Sequence, residues 1–382
     1  MSSRAAVAVI GLGVMGAATL RALAVRGVPA VGIERFRPGH AHGSSHGETR
    51  VFRVAYFEHP SYVPLARAAH DAWRRIERET GTSLLATTGI LEAGPDGSPI
   101  VGGSLDAARR HGLPYEVLSA RDACARFPAF GLPDGWVASF QPDGGVLRAE
   151  ASVEAMVGGA IARGASVLAE RRVTALLPQR DGVRVVFSDG SALTADRVVV
   201  TAGPWIGSLA PSLAPALRVT RQTVGWFAPR QPDLVRPGAM PVFILEAPED
   251  TFYGFPDMTG SGVKTASHIE GDVVDDPDVA ARPNDAALER LAANLTRYLP
   301  AAGGPLRAAA SCFYTRTADE HFAIGLHPED SRIVLASPCS GHGFKFASLV
   351  GEILADLALD GGTRHDIGLF DLGRCVMARP ES

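Results

Sequence analysis

The chain has 382 residues, 46% hydrophobic and 20% charged. That is enough for a large core divided between two domains, and too apolar for a disordered segment. A formal net charge of -4 offers no electrostatic footprint for nucleic acid or an anionic membrane. No apolar run approaches the roughly 18 residues needed to span a bilayer. Met1-Ser2-Ser3-Arg4 leads straight into an apolar strand, so a cytoplasmic protein is expected. Cys124, Cys312, Cys339 and Cys375 are scattered, with no C-x-x-C pair and no His-rich metal spacing. They predict thiols rather than a disulfide framework, and no metal.

The first strand is AAVAVI at residues 5–10, continuously apolar as a strand buried on both faces requires. Gly11-Leu12-Gly13-Val14-Met15-Gly16 follows, then a helix stopping at Gly27, a second strand at 30–33, and Glu34. In this unit Gly11 permits the tight turn, Gly13 lets backbone approach a pyrophosphate, and Gly16 allows close helix–strand packing. The helix N-terminus offers N–H groups and a positive dipole end to phosphates, and Glu34 can accept from both ribose hydroxyls. The motif alone is weak; with its flanks and its acid in place it predicts a bound dinucleotide. It leaves FAD and NAD both open, although its position at the extreme N-terminus favours FAD.

Farther along, residues 183–200 read as two strands across a Ser188-Asp189-Gly190-Ser191 turn and then a third apolar strand. That strand ends in a second Gly-containing turn, Thr201-Ala202-Gly203-Pro204-Trp205. PVFIL predicts a strand before Tyr253, and the Asp- and Pro-rich stretch 272–285 a surface loop leading into a helix at 286–298.

Four further segments carry a family resemblance: GSSHGETRVFR at 43–53; FYGFP at 252–256; SCFYT at 311–315 with DEHF at 319–322; and SGHGFKF at 340–346. Together they resemble the monomeric sarcosine oxidase and N-methyltryptophan oxidase family of flavoproteins, over nearly the whole chain. The resemblance implies an α/β chain, α+β overall. A Rossmann-type FAD domain would be built from 1–85, 146–221 and 318–382, with an inserted mixed-sheet substrate domain from 86–145 and 222–317. It implies a thioether from Cys312 to FAD, helped by neighbouring positive charge that favours the thiolate. Arg53 and Lys345 match the pair that holds the substrate carboxylate, a fork beside a compact charge. In a closed pocket such cations require an anion.

By the same resemblance Arg50 lies beside the flavin with Thr49 adjacent. Lys264 faces it from the side opposite the substrate and stabilises the first negative charge on oxygen, while Tyr253 and His268 stand on the substrate side. Ser45, Val173, Gly341, Gly343 and Phe344 complete the cofactor contacts. The turn at 340–346 leads into an apolar helix whose dipole stabilises negative charge on the reduced ring. Two positions depart from the pattern. Cys339 stands where many sarcosine oxidases carry a bulky aromatic residue, and Ser45 where some carry histidine. If position 339 lines the pocket, substrates larger than sarcosine are expected. The implied reaction oxidises an N-methyl or cyclic amino acid to an imine, with O2 reduced to hydrogen peroxide, on a monomer. The competing expectations are a flavin dehydrogenase with a non-oxygen acceptor, a non-catalytic dinucleotide-binding protein and, from the first motif alone, an NAD-dependent dehydrogenase.

Overall fold

A computed structural model describes residues 4–268, 271–279 and 282–377. The opening strand, Arg4–Ile10, pairs in parallel with Ala30–Ile33 on one side and Ala192–Val200 on the other. Ser166–Leu168 extends the parallel sheet beyond Ala30–Ile33, and Asp330–Ser337 extends it beyond Ala192–Val200. The Val14–Val25 helix that follows the glycine turn packs against Ala149–Ile161 and Ala347–Asp360. Gly351 makes the last contact possible, because a Cβ there would run into Ala18. The expectations for the first strand, helix and second strand agree with this within a residue or two.

The region after Val183 differs from the expectation. It forms two strands, Gly182–Phe187 and an unbroken Ala192–Val200, preceded by an unanticipated strand at Val173–Gln179. The first half of Ala192–Val200 closes an antiparallel meander, and its second half enters the parallel sheet. One strand thus passes from a half-exposed to a fully buried setting. Its hydrophobic pattern changes from alternating to continuous midway, which imitates a break.

A second, nine-stranded sheet holds Arg218–Phe227, Val263–Ser267, Asp250–Gly254, Val242–Ala247, Ile90–Pro95, Trp136–Gln141 and Glu116–Ser119 in that order. Asp272–Val273 and Leu306–Arg316 both pair with Arg218–Phe227. Only the pairing of Val242–Ala247 with Ile90–Pro95 is parallel. Across it, Ser139, Glu92, Ile244, Tyr253 and Ala266 stand opposite one another in consecutive strands. Directly opposed residues share a face of a sheet, so this row is presented to one side. The Asp285–Tyr298 helix packs on this sheet, its N-terminus capped by Asn284, which accepts from the Ala287 N–H at 3.1 Å. Thr49–Phe52, Gly145–Arg148 and Leu85–Thr87 form a separate third sheet, with Gly145–Arg148 in the middle. Among the described residues no helix is long and apolar enough to cross a membrane.

Candidate active site

A cleft enclosing about 1850 Å³, its mouth included, runs from the glycine turn to the second sheet. At one end Gly11 has φ +88°, and a Cβ there would press on the Thr201 carbonyl at 2.7 Å. A Cβ on Gly16 would overlap the Gly11 carbonyl itself. Gly13 is different: the Ser45 hydroxyl is the single neighbour its Cβ would meet, at 3.3 Å. This position therefore turns bare backbone to the cleft, the cradle a pyrophosphate needs. Ser45 also accepts from the Val14 N–H at 3.0 Å, fixing the start of the helix.

Glu34 is 4% exposed and accepts from the Leu12 N–H at 2.7 Å and the Phe36 N–H at 3.0 Å. Burial alone would raise its pKa, yet His40 and these two N–H groups hold it below the usual carboxylate range. An ionised acid with spare lone pairs at this point suits ribose hydroxyls. Val173 and Trp205 line the same end. A bare turn, a helix N-terminus and a buried acid thus fit the dinucleotide part of FAD.

The other end is built from buried charge. Arg53 donates from Nη2 to both oxygens of Glu58, at 2.5 and 2.6 Å, and from Nη1 to the Ala55 carbonyl at 3.1 Å. Its guanidinium lies 4.1 Å from the centroids of both Tyr56 and Phe57. Lys345 Nζ donates to the Tyr56 hydroxyl at 3.1 Å and to the His342 carbonyl at 2.7 Å. His342 Nε2 lies 2.9 Å from the Glu320 carbonyl and so carries the proton; Nδ1 then accepts from the Tyr56 hydroxyl at 2.7 Å. Tyr56 thus joins the two cations: its ring underlies Arg53 and its oxygen receives Lys345. Burial would raise Glu58, but Arg53 above all holds it at about 2. Burial and the repulsion of Arg53 bring Lys345 down to about 7, against the attraction of Glu58 and Glu92.

Above these groups Tyr253 and Tyr314 approach to 3.3 Å between hydroxyls, with the His268 ring 6.3 and 6.2 Å from their centroids. Burial lowers His268 to about 4, so it is neutral near pH 7. Cys312 and Cys339 line the same wall, and Cys339 Sγ accepts from the Thr315 N–H at 3.4 Å. Gly341, at φ +79°, admits the Tyr314 ring, which a Cβ would meet at 2.8 Å. Gly343 and Phe344 continue the turn along the cleft, where Phe344 lies under Arg50 at 5.5 Å.

Arg50 reaches the cleft while donating to the carbonyls of Thr49 and Ser44, both at 2.7 Å. Lys264, Thr49 and Gly16 are not part of the cleft lining among the described residues. Lys264 lies behind it, donating to the Gly47 carbonyl at 2.5 Å, the Thr49 carbonyl at 2.8 Å and the Thr49 hydroxyl at 3.2 Å. Burial, and then Arg50, push its pKa well down. Glu150 holds this loop by accepting from the Gly47 N–H at 2.6 Å and the Glu48 N–H at 3.0 Å. Burial raises the Cys312 thiol, opposed by Arg50 and Lys264. All four cysteines are free, and no cluster of metal-binding side chains occurs among the described residues.

Sequence reasoning did not name Tyr56, Glu58, Glu92, Glu150, Tyr314 or His342. Tyr314 was within reach of it. In an extended strand residues two apart share a face, so a role for Cys312 on the Leu306–Arg316 strand implicates Tyr314. No spacing rule points to Glu58 or Glu92.

Residues 6–357 match the family of FAD dependent oxidoreductases. The chain is 40% identical to the monomeric sarcosine oxidase of Bacillus sp. (strain B-0618), over 98% of this chain and 97% of that one. It is 35% identical to the N-methyl-L-tryptophan oxidase of Yersinia pestis (strain Pestoides F), over 96% and 98%. The open form of NikD, an unusual amino acid oxidase essential for nikkomycin biosynthesis, superposes with a TM-score of 0.86 at 27% identity, covering 97% of this chain and 98% of that one. Together with the cradle at Gly13 and Glu34, these matches place the chain in the FAD-dependent oxidoreductase family, among the relatives of monomeric sarcosine oxidase and N-methyl-L-tryptophan oxidase.

Proposed function

We propose that the chain oxidises the secondary amine of an N-methyl or cyclic amino acid. The observation that carries this reading is the pair of buried cations, Arg53 and Lys345, joined through Tyr56 at the end of the cleft away from the dinucleotide cradle. Arg53 is already paired with Glu58, but Lys345 donates only to neutral partners, the Tyr56 hydroxyl and the His342 carbonyl, and an amino-acid carboxylate gives it a direct anionic partner. FAD, when bound, accepts the two electrons of the amine and passes them to oxygen. For an N-methyl substrate the sum is amine, O2 and water giving demethylated amine, formaldehyde and hydrogen peroxide.

The protein's part is positioning and electrostatics. Arg53 and Lys345 clamp the carboxylate and so fix where the amine stands. Neutral His268 and the hydroxyls of Tyr253 and Tyr314 line the amine's side without adding charge, which favours the neutral, oxidisable amine. Arg50 stands on the opposite side with Lys264 behind it, and we assign Lys264, in its protonated form, the stabilisation of charge developing on oxygen. Ser45, Thr49, Val173, Gly341, Gly343 and Phe344 are assigned to the cofactor, and Cys312 to its covalent attachment. Cys339 leaves room beside the clamp for a substituent larger than that of sarcosine. We further assign the protein to the cytoplasm as a monomer, in keeping with its free thiols.

Two experiments test this. Measured by peroxide release, kcat/KM should be greater with bulkier N-methyl or cyclic amino acids than with sarcosine; strong preference for sarcosine would sink the proposed role of Cys339. Acid precipitation should leave the yellow colour in the pellet for the native chain and in the supernatant for Cys312→Ser. Colour in the native supernatant would remove the covalent bond while keeping the flavoenzyme.

A further inference from the structure

Behind the clamp lies an acid that the reaction does not use. Glu92 is fully buried on the Ile90–Pro95 strand, one strand beyond Ile244 in the row that runs on through Tyr253 to Ala266. Its Oε1 stands 3.9 Å from Arg53 Nε and has no hydrogen-bond partner. Its Oε2 accepts from Gln141 Nε2 at 2.9 Å, and Gln141 Oε1 accepts in turn from the Ala55 N–H at 3.2 Å. The cross-strand neighbour Ser139 is buried with a hydroxyl lacking a partner, while Ser104 on the facing helix stands close enough to Glu92 to favour its ionised form. An unbonded carboxyl oxygen beside an unpartnered hydroxyl leaves a place for one more proton, since a carboxylic acid can donate where a carboxylate can only accept.

We propose that Glu92 is the proton-coupled counter-charge of the carboxylate clamp, ionised when the clamp is empty and protonated when a substrate carboxylate occupies Arg53 and Lys345. This rests on the clamp reading above and specifies how that site is regulated. With the clamp empty, the cations Arg53 and Lys345 face the anions Glu58 and Glu92, and the charges balance. A substrate carboxylate would leave one negative charge uncompensated in a desolvated site, which is costly. Glu58 is poorly placed to take the proton, because both its oxygens accept from Arg53. Glu92, with one oxygen unbonded, is free to take it.

The surrounding charges agree. Burial raises Glu92 to about 7, with Arg53 and the hydroxyl of Ser104 opposing the rise, Glu58 reinforcing it and Gln141 opposing it. Glu246, two residues past Ile244 in the neighbouring strand, is engaged by Ser98 and the Ile100 N–H. On the facing helix Asp106 and Arg110 pair at the surface, and Arg109 is exposed. From the 340–346 turn only Lys345 and His342 are titratable, and burial keeps His342 neutral, at about 3.

The experiment measures propionate binding to the flavin-loaded protein, a carboxylate with no amine to oxidise, through the change in flavin absorbance from mildly acidic to mildly alkaline pH. On the alkaline side Lys345 and Glu92 must both be protonated for binding. The dissociation constant should therefore rise by about two powers of ten per pH unit. In Glu92→Gln, a neutral copy of the protonated acid, the slope should fall to about one, and alkaline binding should be tighter than in the native chain. Equal slopes in the two proteins overturn the proposal while leaving the clamp intact. Absence of propionate binding at every pH overturns the clamp and the proposal with it. Should Glu92→Gln not fold, infrared difference spectra of the native chain decide. Propionate binding at alkaline pH should produce a protonated-carboxyl band that shifts in Ser104→Ala, and no such band overturns the proposal.

Discussion

The two ends of the cleft solve opposite problems. The dinucleotide end is made largely of backbone: a helix start fixed by Ser45, a glycine with only that hydroxyl beside it, and one acid, Glu34, tied to two N–H groups. The clamp end is made of side chains, with two cations and two acids buried together and joined through Tyr56, His342 and Gln141. Backbone partners are fixed by the fold and change little when a neighbour is altered. Buried charges hold one another in place, and removing any one strands the others. The clamp end should therefore be far more sensitive to single substitutions than the cradle, and more sensitive to pH.

The largest effect is expected for Arg53→Met, which leaves Glu58 buried without its fork. A loss of folding stability of about 3–5 kcal/mol is typical for breaking a buried pair, and kcat/KM should fall as well because the carboxylate loses its fork. The double variant Arg53→Met, Glu58→Met should recover thermal stability relative to the single one, though not activity. A single variant that melts like the native chain would contradict the picture of mutual dependence. Next, Lys264→Met should slow flavin reoxidation by about 100-fold and flavin reduction by far less, in stopped-flow traces of each half-reaction. Equal slowing of both would remove Lys264 from the oxygen step.

Smaller effects sharpen the contrast. In a Cys312→Ser background, where FAD is held without a covalent bond, Glu34→Gln should weaken FAD binding by roughly ten- to a hundredfold, as loss of a hydrogen bond to a charged group costs about 1.5–3 kcal/mol; calorimetric titration of the apoprotein checks it. Lys345 keeps its charge below about pH 7 and loses it as pH rises. Substrate affinity should thus be level on the acid side and fall on the alkaline side, and a KM insensitive to pH there would contradict the direction. Cys339→Phe should lower kcat/KM for bulky N-methyl amino acids by roughly tenfold relative to sarcosine, the size expected for filling an apolar pocket.

The same contrast decides what could be read from the chain before its fold was known. The cradle was legible because its parts are consecutive: strand, Gly11 to Gly16, helix, strand and Glu34 fall within one short unit with a fixed mechanical logic. Arg53, Lys345, Lys264 and Cys312 could be named only through the family resemblance of their segments. Nothing local to Lys345 says that it meets Arg53, since the two come together through Tyr56 and tertiary packing alone. Glu92 was illegible for a further reason. A lone acid in an otherwise apolar strand reads as a solvent-facing residue of an alternating pattern, whereas here both faces of the strand are covered. The strand at Ala192–Val200 misled in the same way, its environment changing along its length where a pattern assumes one setting.

The most direct test of the function is to add an N-methyl amino acid to the flavin-loaded protein without oxygen, follow the flavin absorbance, and then admit oxygen. The expected result is bleaching by the amino acid and rapid recovery of colour with one peroxide formed per flavin. Bleaching without recovery would mean that another acceptor takes the electrons. No bleaching by any N-methyl or cyclic amino acid would contradict the assignment of the clamp and, with it, the proposed substrate class.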